Sequence, residues 1–193
     1  GSKCAFELAL ESWRIAAGFR YATLRCFNAA GEDPAGPPAD PDPFRERLIP
    51  AVLRVAAGIE KEAVVHGEDH NTRDGTPVRD YIHVLDAARA FALAIGRMLD
   101  GGDSFTANLG SGNGSTVRDV IAACREASGA EIPVRVAARQ PGDPGSLVAK
   151  TALIKKILGF EPEYDLKAIV ASAWNGLKAR LKAAATDAAT APD

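Results

Sequence analysis

Along the chain, stretches with apolar residues every three or four positions trade places with short stretches where apolar and polar residues alternate. Residues 3–17 set Ala5, Leu8, Ala9, Trp13 and Ala16 at helical spacing, and Gly18 supplies a stop. FRYATLRCF, 19–27, alternates and predicts a buried strand. NAAGEDPAGPPADPDPF, 28–44, is rich in Pro, Gly and Asp and predicts a long loop, a feature more often functional or mobile than not. RERLIPAVLRVAAG, 45–58, predicts a second helix closed by Gly58. EAVVH predicts a short strand, GEDHNTRDGTP a polar loop, VRDYIHV an extended segment and LDAARAFALAIGRML a helix with Asp86 near its positive end.

The second half repeats the alternation. SFTANLG predicts a strand and GSGNGS a glycine-rich turn. Ser115 or Thr116 can cap the helix VRDVIAACREASG, with Asp119 in its first turn. IPVRVAAR predicts a strand, QPGDPG a turn, TALIKKILGF a short helix ending at Gly159, and the stretch after Asp165 a last amphipathic helix. Residues 183–193, small and polar, predict a disordered tail. Strands alternating with helices indicate the α/β class, and no internal repeat is present.

Composition narrows the function. The 193 residues suffice for one large domain or one and a half small ones, and 47% hydrophobic residues suffice for a core. A formal charge of -2 argues against a sequence-independent nucleic-acid binder. No run of about 18 apolar residues occurs, so no membrane span is expected. The first residues do not read as a secretory signal. Cys4, Cys26 and Cys124 are odd in number and lack metal-like spacing; buried free thiols, a cytoplasmic setting and no metal site are the expectation.

Four places carry chemistry. LGSGNGST, 109–116, has a phosphate-loop look, but Gly110, Gly112 and Gly114 lack the dinucleotide spacing, so a plain strand-to-helix turn is the better reading. RQPGDPG, 139–145, is a turn by composition, yet an Arg can pair with phosphate and a carboxylate can accept sugar hydroxyls. In GTPVRDYIHVLDAARA, 75–90, alternation puts Arg79, Tyr81 and His83 on one side and Asp80 and Ile82 on the other. A solvated edge strand and an anion site at Arg79 are equally supported there. Lys3 taken alone reads as surface.

DGTPVRDYIHVLDAARA resembles the Asp-Gly-Thr-x-x-Arg-Asp-Tyr-Ile-His-Val-x-Asp-Leu-Ala segment of UDP-glucose 4-epimerases, which are extended short-chain dehydrogenases/reductases. LRCFNAAGEDP, RLIPAVLRVAAG, NLGSGNGSTVRDVI and RQPGDP resemble further segments of that family, in its order, from residue 2 to about 175. Ser2-Lys3 matches the end of its Tyr-x-x-x-Lys helix, whose Tyr would precede Gly1. The resemblance implies a C-terminal part. Residues 1–28 correspond to the last helix and strand of a Rossmann domain, and 29–182 to the small α/β substrate-binding domain with some segments that contribute to the Rossmann domain. The Tyr and the Gly-x-x-Gly-x-x-Gly cofactor loop are absent from these residues, which implies no activity alone.

The implied activity is interconversion of UDP-glucose and UDP-galactose through a 4-keto sugar, with NAD as cofactor and a homodimer of the full-length protein. Lys3 is implied as the catalytic lysine, lowering the Tyr pKa and holding the nicotinamide ribose. Phe27 is implied to line the nicotinamide site and Asn28 to bind the diphosphate. Leu48, Val64 and Val65 join the substrate site, with His66 where the family often has a Phe stacked on uracil. Arg79 is implied to bind phosphate, and Asp143 a sugar hydroxyl. Cys26, Arg47 and Lys150 depart from the family's usual residues. Gln140 stands where a second Arg belongs, so that one phosphate contact is either lost or taken over by Arg139. Leu147 falls where the family gates N-acetylated sugars. Another UDP-sugar epimerase or decarboxylase is the nearby alternative, and a non-catalytic UDP-sugar-binding module the more distant one.

Overall fold

The computed structural model describes residues 1–36 and 46–190, with side chains to 186. Part of the expected loop at 28–44 therefore lies outside the described residues. The chain opens with helix α1 (Ser2–Ala17), ended by Gly18 in the left-handed conformation. Strand β1 (Ala22–Cys26) follows and runs parallel to β5 (Phe105–Leu109), with Ala22 opposite Phe105 and Cys26 opposite Leu109. Phe27 extends the pairing by donating its N–H to the Leu109 carbonyl at 2.9 Å. The chain then enters β2 (Asn28–Ala30), inside the span expected to be all loop.

β4 (Val78–His83) is the hub. It pairs parallel with β2, setting Asn28 opposite Tyr81. It pairs antiparallel with β6 (Gly114–Thr116) and parallel with β8 (Ser146–Leu147). A separate parallel pair joins β3 (Ala63–His66) to β7 (Val134–Ala137). The solvated edge strand is thus overturned. β4 has neighbours along its length, and Asp80 through His83 are all buried.

Alternation along β4 divides the interior. Tyr81 joins one cluster with α2 (Leu48–Ala56), β3, α4 (Val117–Ser128) and α6 (Leu166–Thr190). Ile82 joins the other with α3 (Val84–Leu99), β5, α5 (Ala152–Leu158) and Phe160. Pro50 falls in the first turn of α2, where a missing N–H costs nothing. Thr116 caps α4 in a reciprocal capping box with Asp119, as the sequence suggested.

Three expectations are corrected. β1 is only half covered, because β5 is its one partner among the described residues, and Arg25 and Cys26 are exposed. The cysteines are free thiols, but only Cys124 is buried; Cys4 and Cys26 lie at the open side of α1 and β1. Residues 183–190, expected as disordered tail, continue α6 to Thr190, since their alanines favour helix.

Candidate functional site

A cleft of about 600 Å³ opens beyond the carboxyl end of β1. Its floor is Phe27, Asn28 and the segment to Glu32; one wall is the start of α2, with Arg47 and Leu48; another is α6, with Leu177 and Arg180. Tyr81 lines it too, so the β4 face that carries Arg79 borders the same space. Phe27, Asn28 and Leu48, separated in sequence, therefore meet here.

Arg79 is held at the start of β4. Its side chain is 16% exposed, and Nη2 donates to Asp143 Oδ1 at 2.5 Å while Nη1 donates to the Val78 carbonyl at 2.8 Å. Asp143 comes from the turn before β8, which β4 holds by backbone pairing of Arg79 with Leu147 and by a Val78 N–H bond to the Gly145 carbonyl. Arg139 Nη2 reaches the Asp143 carbonyl at 3.4 Å. Arg79, Arg139, Asp143 and Leu147 thus form one cluster, with Gln140 accepting the Asp143 N–H. Leu147 is exposed.

Lys3 is exposed in the first turn of α1, close enough for its charge to oppose the rise in the Cys26 pKa that burial causes. Cys26 ends β1 and immediately precedes Phe27. On the β3–β7 pair, His66 is exposed, Val64 half-buried and Val65 buried in the core. Val65 therefore offers its backbone, not its side chain, to any ligand.

The rest of the Arg79–Asp86 run is a set of internal clamps. Asp80, fully buried, accepts from the Ser111 N–H and hydroxyl and from the Gly112 and Ala149 N–H groups, at 2.5 to 3.0 Å. The glycine-rich turn is filled by this internal carboxylate. A Cβ on Gly110 would stand 2.6 Å from Asp80 Oδ2. LGSGNGST is no phosphate loop, because an anion is already in place; the expected plain turn is corrected in its second half, where Gly114–Thr116 form β6 against β4. Asp86, also fully buried, accepts from the Glu163 and Tyr164 N–H groups and from Arg89.

His83 stacks on Tyr164 with ring centroids 4.3 Å apart. Its Nδ1 accepts from the Leu85 N–H at 3.1 Å. Ser172 Oγ donates to the Ile169 carbonyl and accepts from the Glu32 N–H, so His83 Nε2 is the donor to Ser172 at 2.9 Å. This network fixes the neutral tautomer. Burial lowers the His83 pKa, partly opposed by Asp86 and Asp33. Burial also pushes the Tyr81 phenol up to about 12, so it stays protonated at neutral pH.

Sequence reasoning missed Glu32, Arg54 and Arg180. Glu32 pairs with Arg180 at 2.6 Å across the cleft, and Arg54 with Glu60 at 3.1 Å. The α6 partner of Glu32 is set by packing, so no local pattern signals it. Among the described residues, no group of three His, Cys, Asp or Glu side chains could hold a metal. None of the described helices is long and apolar enough to cross a membrane.

Parallel strands with helical crossovers, and a cleft off a strand's carboxyl end, define an open α/β fold built to hold a ligand at that end. The chain belongs to the NAD dependent epimerase/dehydratase family, whose model matches residues 1–110. It is 42% identical over 175 residues to the UDP-glucose 4-epimerase of Halalkalibacterium halodurans, covering 90% of this chain and 52% of that protein. Among solved structures it resembles the UDP-glucose 4-epimerase of Bifidobacterium longum in complex with NAD+ and UDP. The TM-score is 0.83 at 35% identity, over 93% of this chain and 54% of that one. The Stenotrophomonas maltophila enzyme, with bound NAD and formylated UDP-arabinopyranose, gives a TM-score of 0.83 at 34% identity, over 93% and 54%. The α/β, extended short-chain dehydrogenase/reductase expectation therefore holds. The chain spans about half the length of the curated relatives it matches.

Proposed function

We propose that this chain is the substrate-binding part of an NAD-dependent UDP-glucose 4-epimerase. The observation that supports it best is the meeting of Phe27, Asn28 and Leu48 on one cleft, with the Arg79 face of β4 at its border. Relatives named UDP-glucose 4-epimerase support the same reading.

The residues present fit one end of the cofactor. Phe27 lines the cleft with a flat apolar ring, and Lys3 brings a cation whose charge is felt at Cys26, the residue before Phe27. These two would hold the nicotinamide ribose and ring. No cradle for the dinucleotide phosphates is found among the described residues, since Asp80 fills the 110–114 turn. When bound, NAD supplies hydride removal and return at C4 of the hexose.

This chain's own groups bind and orient. Asn28 donates its amide to the diphosphate. Arg79 and Arg139 offset the phosphate charge with directional N–H donors. Leu48 and the Val64–His66 strand cover the nucleoside, with His66 stacking on the base. The Asp143 oxygen not engaged with Arg79 accepts a sugar hydroxyl, and Gln140 and Leu147 bound the hexose. Binding energy from the non-reacting UDP thereby positions the sugar.

With no cradle for the dinucleotide phosphates among the described residues, the chain incubated alone with NAD and UDP-galactose forms no UDP-glucose by coupled assay; clear turnover contradicts its reading as the substrate-binding part. Titration with UDP-glucose and UDP-glucuronate separates a neutral-sugar site from a uronic-acid site. The reading requires UDP-glucose to bind at least as tightly.

A further inference from the structure

We infer that Asp143 is a positioning residue that holds Arg79 and Arg139 as a two-armed clamp for a diphosphate. This rests on the reading of Arg79 as an anion ligand. It adds a role for Asp143 separate from any contact with the sugar.

Asp143 faces two guanidinium groups with two different acceptors. Its carboxylate takes an N–H from Arg79 at 2.5 Å, and its backbone carbonyl faces Arg139 Nη2 at 3.4 Å. The carboxylate offsets the charge of Arg79, and the backbone carbonyl of the same residue draws Arg139 to the cluster. Net charge at the cluster stays positive, which suits an anion.

The geometry leaves donors for the ligand. A guanidinium has five N–H donors. Arg79 commits one to Asp143 and one to the Val78 carbonyl. The Asp143 contact is made through one oxygen, not as a two-point fork, so it orients Arg79 without consuming its planar edge.

Asp143 is itself fixed from below. The Gly145 carbonyl accepts from the Val78 N–H at 2.8 Å, and β8 pairs with β4 two residues later. His70, buried against Gly145 and Gly67, fills the space beneath the turn. The carboxylate is thus presented by backbone pairing to the same strand that carries Arg79, so the clamp exists before ligand arrives. Such preorganisation raises affinity by lowering the ordering cost of binding.

The test is titration calorimetry of the full chain with inorganic pyrophosphate, which has no sugar, and then with UDP. Asp143→Asn weakens pyrophosphate about tenfold, equivalent to 1.4 kcal/mol, and Asp143→Glu recovers part of it. In an Arg79→Gln, Arg139→Gln background, Asp143→Asn has no further effect on pyrophosphate, whereas a merely structural role would weaken binding again by the same factor. Tighter pyrophosphate binding in Asp143→Asn would make Asp143 a competitor for Arg79 and overturn the inference. So would unchanged pyrophosphate with weaker UDP, which assigns Asp143 to a sugar hydroxyl alone. If Arg79→Gln leaves pyrophosphate binding unchanged, the reading of Arg79 itself fails, a result distinct from either. Circular dichroism and the unfolding midpoint of each variant separate lost clamping from lost fold.

Discussion

At the scale of single residues, Asp80 and His83 decide most. Asp80 satisfies four donors from two distant segments, at 111–112 and at 149. Asp80→Ala leaves those N–H groups buried without an acceptor, and chemical denaturation should show a loss of about 3 kcal/mol. A loss under about 1 kcal/mol would mean that water replaces the carboxylate freely. His83 gives a pH dependence. Its folded pKa lies below the unfolded value, so the unfolded chain binds the proton more readily. Its contribution is therefore complete above the ordinary histidine pKa of 6.5 and is lost as pH falls below that toward the folded value. The melting temperature should drop between pH 7.5 and 5.5, and His83→Gln should flatten that drop. Alternation in the sequence already told which of Arg79–His83 share a side. Their partners could not be read, because Ser111, Ala149, Ser172 and Asp143 arrive by chain crossovers that no local pattern encodes.

At the scale of elements, turn and cap chemistry was the most legible part. The Thr116–Asp119 box and the glycine stops at Gly18 and Gly159 are local, and they fall where the residues put them. β2 was hidden inside a Pro- and Gly-rich run because it is three residues long and exists only by pairing with β4. Its exit uses Gly31, at φ 83°, where an added Cβ would stand 2.8 Å from the His83 ring and from Ser172 Oγ. Gly31→Ala combines a left-handed conformation with that close approach and should cost at least about 2 kcal/mol. It should also loosen the Glu32–Ser172 link beside the cleft. A variant of unchanged midpoint in urea would contradict this. Helix α1 is the weak element. Only Leu10 is buried, and Trp13 and Ile15 are 55% and 73% exposed. Its amides should exchange with solvent faster than those of α4, which packs against α2 and α6 in the core. Equal protection would show that the isolated chain covers α1 in solution, for instance against a second copy.

At the scale of the whole molecule, β4 ties two cores together, with Tyr81 in one and Ile82 in the other. The site residues expected from the sequence divide accordingly. Phe27, Asn28 and Leu48 meet on the cleft; Arg79, Arg139, Asp143 and Leu147 meet around the turn before β8; Val64 to His66 lie on the β3–β7 pair. Tyr81, two residues on from Arg79 along β4, lines the cleft, whereas the Arg79 cluster gathers at the other end of that strand, against β8. The cleft's Glu32–Arg180 pair was illegible, because α6 reaches β2 only in the folded chain. The measurement that tests the account most directly is a calorimetric titration of this chain with UDP, beside its Arg79→Gln variant. The account predicts saturable binding of one UDP per chain, weakened at least tenfold by the substitution and by raised salt. Absence of binding, or equal binding by both proteins, would contradict the assignment of this face to a sugar nucleotide.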